Sequence, residues 1–261
     1  MNYLEALLLG LVQGLTEFLP VSSDGHLVLA EQITGVHTPG VFVEVMLHVA
    51  TLGSILVVYG KRFGALAGGV LRRDPAQLRY AGLMLLAMVP AGLVGILLRD
   101  VVARAFDSLW VTGAGFWVTG AALWYSSRAP AGGRDRPSAL QALHIGAAQA
   151  LAILPGVSRS GMTVATGLWA GMSAVQAAEF SFLMAIPVIA GAGLLEARHA
   201  ADDMGLVGAG PLAVAAVVAF ASGVWAIRLL VALLARGQFH RFAPYCFAIG
   251  AFTFGIAVWR A

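Results

Sequence analysis

The residues best suited to chemistry lie in one short stretch near the start of the chain, QGLTEFLPVSSDGH at 13–26. Gln13 and Glu17 are four residues apart, which places both on one face of a helix. An ionised glutamate at bilayer depth costs from about 2.5 kcal/mol upward, so Glu17 must face a polar cavity or a partner. Pro20 then ends this helix, because proline lacks a backbone donor.

The residues that follow Pro20 are polar and conformationally free: Ser22, Ser23, Asp24, Gly25 and His26. His26 is expected to open the next short helix. A helix N-terminus presents unpaired N–H groups and a partial positive charge, which suit a phosphate. Helix capping by Ser22, Ser23 or Asp24 is the alternative. Capping explains one of these residues, but not the group together with Glu17 and His26.

A second polar stretch, LPGVSRSGMT at 154–163, holds an arginine between two serines. The fork of the Arg159 guanidinium matches the oxygens of a phosphate, with Ser158, Ser160 and Gly161 around it. The alternative is an arginine that extends to the membrane interface. If the two stretches converge, they bring together carboxylate, hydroxyl, imidazole and guanidinium groups. That combination predicts a phosphate site inside a membrane.

The composition indicates a membrane protein. Of the 261 residues, 59% are hydrophobic and 11% are charged, whereas soluble domains contain about a quarter charged residues. The long apolar runs favour helices over the short alternating strands of a barrel. We expect no nucleic-acid partner, because the excess of basic over acidic residues is small. The single cysteine, Cys246, excludes an intramolecular disulfide.

Six apolar segments have about the 20 residues that a membrane span needs. They are 42–59, 80–98, 109–125, 177–195, 212–234 and 243–259. Two further regions, 4–33 and 140–172, each contain two short apolar pieces separated by a proline and polar residues. The pattern predicts an all-α integral membrane protein with six transmembrane helices and two re-entrant helix–loop–helix hairpins.

Basic connections indicate which side of the membrane each span faces. Lys and Arg cluster at 61–79, 126–138 and 236–241, which we assign to the cytoplasm. The connections at 99–107 and 196–203 are balanced or acidic. Successive spans cross the membrane in alternating directions only if each of the two regions of paired short segments, 4–33 and 140–172, enters and leaves on the same face. The first pair then enters from outside and the second from the cytoplasm.

The two broken regions also resemble each other. Residues 10–25 and 146–161 align without a gap and are identical at six of sixteen positions, including one Gln and one Ser. This predicts a single membrane domain, 1–261, built as an inverted-topology repeat. Its halves are 1–125 and 139–261, joined by a cytoplasmic loop at 126–138. The alternative, that Pro-Gly-Ser breakers simply recur, stays open here.

Three other polar residues have two interpretations each. Glu44 and Glu179 begin spans about one repeat length apart. They are either symmetric partners of the hairpin loops or acids favoured by the helix dipole. His48 either lines the site or makes a structural hydrogen bond within its span.

At these residues the chain resembles the undecaprenyl-diphosphate phosphatase family associated with bacitracin resistance. The match is carried by 13–26, 154–163, AAEFSFLMAIP at 177–187 and FVEVMLHVATLGSI at 42–55, and it extends over essentially the whole chain. The resemblance implies hydrolysis of undecaprenyl diphosphate to undecaprenyl phosphate and inorganic phosphate, which recycles the lipid carrier for peptidoglycan synthesis. It implies a multi-pass protein of the bacterial inner membrane whose active site faces the outer, periplasmic side. The family's fold, six spans and two hairpins in an inverted repeat, is the same as the predicted one.

The resemblance also implies roles for individual residues. Ser23 would be the nucleophile, His26 the general base and later acid, and Arg159 the phosphate clamp. Glu17, with Gln13, would hold a divalent cation, Mg²⁺ or Ca²⁺. The expected substrate-binding residues are Ser22, Asp24, Gly25, Ser158, Ser160 and Gly161.

Asp24 departs from the family, which usually has threonine at this position. Its carboxylate would either add a metal contact or repel the substrate, and both interpretations stay open.

The competing function is a polyprenyl-phosphate transporter or flippase, because inverted repeats and re-entrant loops are transporter features. A transporter would need Arg159 and a helix N-terminus, but not a serine and a histidine three residues apart beside a carboxylate. The expected partners are a polyprenyl diphosphate lipid and the bilayer lipids, and a homodimer is one assembly that the sequence allows.

Overall fold

The computed structural model describes residues 1–34, 40–196 and 208–260, and helices dominate these ranges. The α-helices in chain order are α1 (Tyr3–Phe18), α2 (Ser23–Thr34), α3 (Gly40–Leu71), α4 (Pro75–Leu97), α5 (Arg99–Phe106), α6 (Leu109–Ser126), α7 (Ala139–Leu151), α8 (Arg159–Trp169), α9 (Ala174–Glu196), α10 (Ala209–Ala235) and α11 (Ala243–Arg260). A short 3₁₀ helix, Phe239–Phe242, precedes α11. The all-α fold class is therefore confirmed for the described residues.

Five helical segments of the described chain are long and apolar enough to cross a membrane: Val45–Leu71, Pro75–Leu97, Ala174–Gly191, Ala209–Ala235 and Phe239–Arg260. They correspond to five of the six predicted spans. The sixth, α6, has 18 residues and is described by the structure, but it is not one of these five segments. The acidic connection predicted at 196–203 falls almost wholly outside the described residues.

The predicted chain breaks at Pro20 and Pro155 are present. A capping box between Asn2 and Glu5 begins α1, which ends at Phe18 with Leu19 extended. A residue before proline favours the extended region, which explains this ending. A second capping box begins α7, which ends at Leu151, four residues before Pro155. The results are two pairs of short helices, α1–α2 and α7–α8, with loops at 19–22 and 152–158.

Two helices differ from the predicted segments. Helix α3 has 32 residues and continues past the predicted end at 59, because no proline interrupts the chain before Pro75. Helix α5, of eight residues, was not predicted. It is strongly amphipathic and lies in the connection at 99–107, for which the sequence indicated only balanced or acidic charge.

Small residues let the paired helices approach the helices beside them. A Cβ on Gly10 of α1 would collide with the carbonyl oxygen of Ala215 in α10. Likewise, a Cβ on Gly146 of α7 would collide with the carbonyl oxygen of Ala87 in α4. Gly10 and Gly146 are equivalent positions in the aligned stretches. The two halves therefore use the same close approach, α1 against α10 and α7 against α4.

Candidate active site

The two hairpin loops meet in the structure. A Cβ on Gly25, in the first turn of α2, would lie 2.8 Å from the Gly156 Cα. A Cβ on Gly161, in the first turn of α8, would lie 3.3 Å from the Pro20 Cβ. The Ser160 hydroxyl donates to the carbonyl oxygen of Leu19 over 3.4 Å. Residues more than 130 positions apart in the chain thus form one polar centre.

Glu17 is the centre of this cluster, with its side chain 5% exposed. Arg159 donates from Nη2 to its Oε1 over 2.5 Å. The other oxygen, Oε2, accepts from Ser23 Oγ over 2.9 Å and from Gln13 Nε2 over 3.2 Å. His48 Nε2 lies 3.3 Å from the same oxygen. The buried carboxylate therefore has the polar partners that its position requires.

Arg159 does not extend to the membrane interface, because its guanidinium is held against Glu17 inside the protein. A guanidinium carries five N–H donors. The hydrogen bond to Glu17 uses one nitrogen, so other donors of the fork remain for an anion beside Ser23.

Ser22 and Ser158, which occupy equivalent positions in the two aligned stretches, each cap the helix that follows. The Ser158 hydroxyl accepts from the Gly161 backbone N–H over 3.1 Å, and the Ser22 hydroxyl accepts from the Gly25 N–H over 3.3 Å. The backbone of the second loop is held further by Thr119, whose hydroxyl accepts from the Ser158 N–H over 2.9 Å and donates to the Gly156 carbonyl oxygen over 2.9 Å. No sequence pattern indicates Thr119, since its role arises only from packing of α6 against the loop.

Ser23 and His26, the nucleophile and general base that the resemblance implies, are not hydrogen-bonded to each other. Ser23 donates to Glu17 instead. His26 Nδ1 lies 2.7 Å from the Ser22 carbonyl oxygen, and Nε2 lies 2.6 Å from the Tyr245 hydroxyl. Helix α2 already begins at Ser23, so the imidazole turns back over the first turn and away from the cavity. His26 therefore has no contact through which it could take the Ser23 proton.

A cavity of about 280 Å³ opens beside Glu17. Polar side chains from both loops and from α3 line one part of it, and aliphatic side chains line the rest. The lining residues are Thr16, Glu17, Ser22, Ser23, Asp24, Val45, His48, Ala152, Val157, Ser158, Arg159, Val188 and Ile189. A polar end beside an apolar wall fits an amphiphile with a charged head group.

The structure sorts the residues predicted from sequence into two groups. Seven lie around Glu17 or line the cavity: Gln13, Glu17, Ser22, Ser23, Asp24, Ser158 and Arg159. Four support the loops without lining it: Gly25, His26, Ser160 and Gly161. His48, for which sequence left two interpretations, lies at the cavity.

Glu179 forms its ion pair with a residue of α3 rather than with the hairpin loops. Its carboxylate accepts from Arg62 Nε over 2.8 Å, and Arg62 also donates to Gln77 over 3.3 Å. These residues line a separate polar cavity with Tyr80 and Asp135. The Glu44 side chain lies outside the described part of the chain.

The donor set around Glu17 fits a hard divalent cation. The Gln13 amide oxygen is buried without a hydrogen-bond partner, although its amide nitrogen contacts Glu17. Asp24 places a second carboxylate on the same cavity. Within the described ranges, no three His, Cys, Asp or Glu residues are grouped to hold a metal. Phosphate oxygens and water would therefore have to complete the coordination, as is usual for Mg²⁺.

Comparison with known proteins shows which family the chain belongs to. The family profile described as Bacitracin resistance protein BacA matches residues 6–252. The chain belongs to the BacA family. The undecaprenyl-diphosphatase of Desulfosudis oleivorans is 39% identical, covering 99% of this chain and 100% of the relative. The enzyme of the same name from Syntrophotalea carbinolica is 40% identical, covering 98% and 100%. That of Clavibacter michiganensis subsp. michiganensis is 38% identical, covering 96% and 95%.

The BacA family match includes both hairpin loops and the start of α3. Glu17, Ser23, His48 and Arg159 all lie inside the matched range. The residues that the structure gathers around one cavity thus lie within the matched range. The family match and the five apolar helices of the described chain together indicate a multi-pass membrane protein.

Proposed function

We propose that this protein is an undecaprenyl-diphosphate phosphatase, a membrane hydrolase that releases inorganic phosphate and leaves undecaprenyl phosphate. The observation that carries the proposal is the 2.9 Å hydrogen bond from Ser23 to a carboxylate that also pairs with Arg159. A nucleophile, a proton acceptor and a phosphate clamp then occupy one buried cavity. The names of the relatives support the substrate, and the family supports a role in bacitracin resistance and peptidoglycan synthesis.

The polar and apolar parts of the cavity lining support one orientation of the substrate. Its terminal phosphate would lie between Ser23 and Arg159, near the N-terminal amides of α2 and α8, which favour an anion. Its polyprenyl chain would leave along the apolar wall formed by Val45, Val188 and Ile189.

The chemistry follows from the contacts of Ser23. Its oxygen attacks the terminal phosphorus while its proton passes to Glu17 Oε2, which already accepts that hydrogen bond. The bond from phosphorus to the bridging oxygen breaks, and the lipid monophosphate leaves. The departing lipid monophosphate takes up this proton, which regenerates the Glu17 carboxylate. Water then attacks the phosphoserine and gives a proton to Glu17, and that proton returns to the Ser23 oxygen as the phosphorus–serine bond breaks and inorganic phosphate is released. Arg159 balances the charge on the transferred phosphoryl group.

We propose that Glu17 and Gln13, with Asp24 beside them, hold a divalent cation, Mg²⁺ or Ca²⁺. The ion would supply charge neutralisation at the diphosphate. Asp24 would then act as an additional ligand rather than as a repulsive charge.

We also propose the finer architecture: six spans and two re-entrant hairpins in an inverted repeat, with halves 1–125 and 139–261 and the loop 126–138 in the cytoplasm. The crossed packing of α1 against α10 and α7 against α4 supports it. The equivalent contacts Gly25–Gly156 and Gly161–Pro20 support it as well. In this arrangement the first pair enters from the periplasm, so the active site faces outward.

An assay on purified protein in detergent distinguishes a phosphatase from a transporter. With a polyprenyl diphosphate as the only substrate, we expect stoichiometric release of inorganic phosphate and polyprenyl monophosphate. A polyprenyl monophosphate should yield no phosphate. Binding of the diphosphate without any hydrolysis would contradict the proposal and favour the transporter.

A further inference from the structure

His26 is hydrogen-bonded at both ring nitrogens, although neither contact reaches the cavity. Nδ1 lies 2.7 Å from the Ser22 carbonyl oxygen. Nε2 lies 2.6 Å from the hydroxyl of Tyr245, in the first turn of α11. The imidazole and phenol planes are nearly parallel, at 3°, and the Phe116 ring packs its edge against His26 with centroids 5.3 Å apart.

These contacts determine the tautomer of His26. A carbonyl oxygen can only accept, so the proton must be on Nδ1. Nε2 is then an acceptor, and the Tyr245 hydroxyl donates to it. The Tyr245 hydroxyl, which can donate or accept, thereby holds the other side of the neutral ring in the tautomer that bonds to Ser22.

The carbonyl that His26 holds belongs to an unusual residue. Ser22 has φ +66°, in the left-handed region that residues other than glycine rarely occupy. Ser22 joins the Pro20 loop to the first residue of α2, so its backbone determines where Ser23 points. Such a conformation persists only when its surroundings hold it. The hydrogen bond from His26 to the Ser22 carbonyl is one of the contacts that do so.

We propose that Tyr245 and His26 form a positioning pair that fixes the Ser22 backbone and directs the Ser23 hydroxyl to Glu17. Neither side chain lines the cavity. The assignment rests on the proposed function, because it takes Ser23 as the nucleophile. It makes α11, from the second half of the chain, a support for the nucleophile in the first half. It also assigns His26 a role other than general base.

Four variants test the pair by phosphate release from a polyprenyl diphosphate. Tyr245→Phe keeps the ring and removes only the donor to Nε2. We expect kcat to fall about tenfold with KM within about twofold of wild type, because Ser23 is misdirected while substrate contacts remain. His26→Asn keeps a side-chain N–H for Ser22 and should retain about a tenth of wild-type kcat or more, whereas His26→Ala should lose about 100-fold. Tyr125→Phe, which removes the hydroxyl of an exposed tyrosine, is the matched control, and its kcat should be unchanged.

The double variant His26→Asn/Tyr245→Phe is the decisive comparison. If Tyr245 acts only through the imidazole, its change costs nothing further once His26 is asparagine. Equal losses in His26→Asn and His26→Ala would overturn the pair and make His26 a catalytic base. Wild-type kcat in Tyr245→Phe would overturn it as well. If Tyr245→Phe does not fold, the two His26 variants still decide between positioning and catalysis.

A readout independent of activity separates this inference from the proposed function. In protein with ¹⁵N-labelled histidine, His26 should carry its proton on Nδ1, and Tyr245→Phe should shift the Nε2 resonance. A proton on Nε2 in wild type would overturn the pair. A wild-type protein that shows the Nδ1–H signature but releases no phosphate would contradict the proposed function alone.

Discussion

Three residues from two distant segments share one carboxylate at the site. Ser23 donates to Glu17 over 2.9 Å, and Arg159 approaches the other oxygen over 2.5 Å. Because Ser23 donates its proton to Glu17, the Ser23 oxygen remains free to attack phosphorus. Because Arg159 is bonded to the same carboxylate, its guanidinium stays within reach of the phosphate. This arrangement makes distinct predictions for each of the three side chains.

Loss of the nucleophile or of the clamp should be severe. Ser23→Ala and Arg159→Ala should each lower kcat/KM by about 100-fold or more in the phosphate-release assay. Arg159→Lys should stay impaired, because an ammonium cannot grip two oxygens at once. Ser127→Ala, an exposed serine that bonds only within its own turn, is the control. Near-normal turnover by Ser23→Ala would show that Ser23 is not the nucleophile.

Turnover should require a divalent cation. Excess chelator should abolish phosphate release, and added Mg²⁺ or Ca²⁺ should restore it. Glu17→Gln should lose about 100-fold or more, since the residue both accepts a proton and holds the ion. Gln13→Ala should do less damage, because an amide oxygen is the weaker ligand. Gln149→Ala, at the equivalent repeat position and also buried, should leave the metal requirement unchanged. Full activity in chelator would contradict the metal assignment.

At the scale of elements, the site depends on two loops that touch. A Cβ on Gly25 would lie 2.7 Å from the Phe116 ring and 2.8 Å from the Gly156 Cα. Gly25→Ala should therefore separate the loops, lower phosphate release by about tenfold and destabilise the protein by about 1–3 kcal/mol. In Gly64→Ala nothing lies within 4 Å of the new atom, so activity should be unchanged. Normal activity in Gly25→Ala would mean that the loops need not touch.

The elements were predictable wherever the signal was local. Pro20 and Pro155 stop helices by removing a donor, and Ser22 and Ser158 cap the next helices through bonds within three residues. From the sequence it could be said what the two loops would form if they met, but not that they meet. The orientation of His26 was not predictable, because Tyr245, 219 positions away, determines it. The contact of His48 with Glu17 likewise depends on the packing of α3 against α1.

For the molecule as a whole, the proposed inverted repeat requires the two halves of the chain to have opposite orientations in the membrane. The basic loop 126–138 should lie in the cytoplasm and the α5–α6 connection outside. Cys246 is buried, so single cysteines can be introduced without removing it. In intact cells, an impermeant maleimide should label cysteine at Asp107 and should label one at Ser138 only after the membrane is opened. Labelling of Ser138→Cys in sealed cells would contradict the proposed topology.

In the proposed reaction, a serine inside the membrane displaces a lipid phosphate and is itself released by water. The stereochemical course at phosphorus distinguishes this double displacement from direct attack by water. A polyprenyl diphosphate whose terminal thiophosphate carries ¹⁶O and ¹⁸O would be hydrolysed by wild-type protein in ¹⁷O-water. Each in-line displacement inverts phosphorus, so two displacements through Ser23 predict overall retention in the released thiophosphate. Inversion would show a single attack by water and would contradict the account.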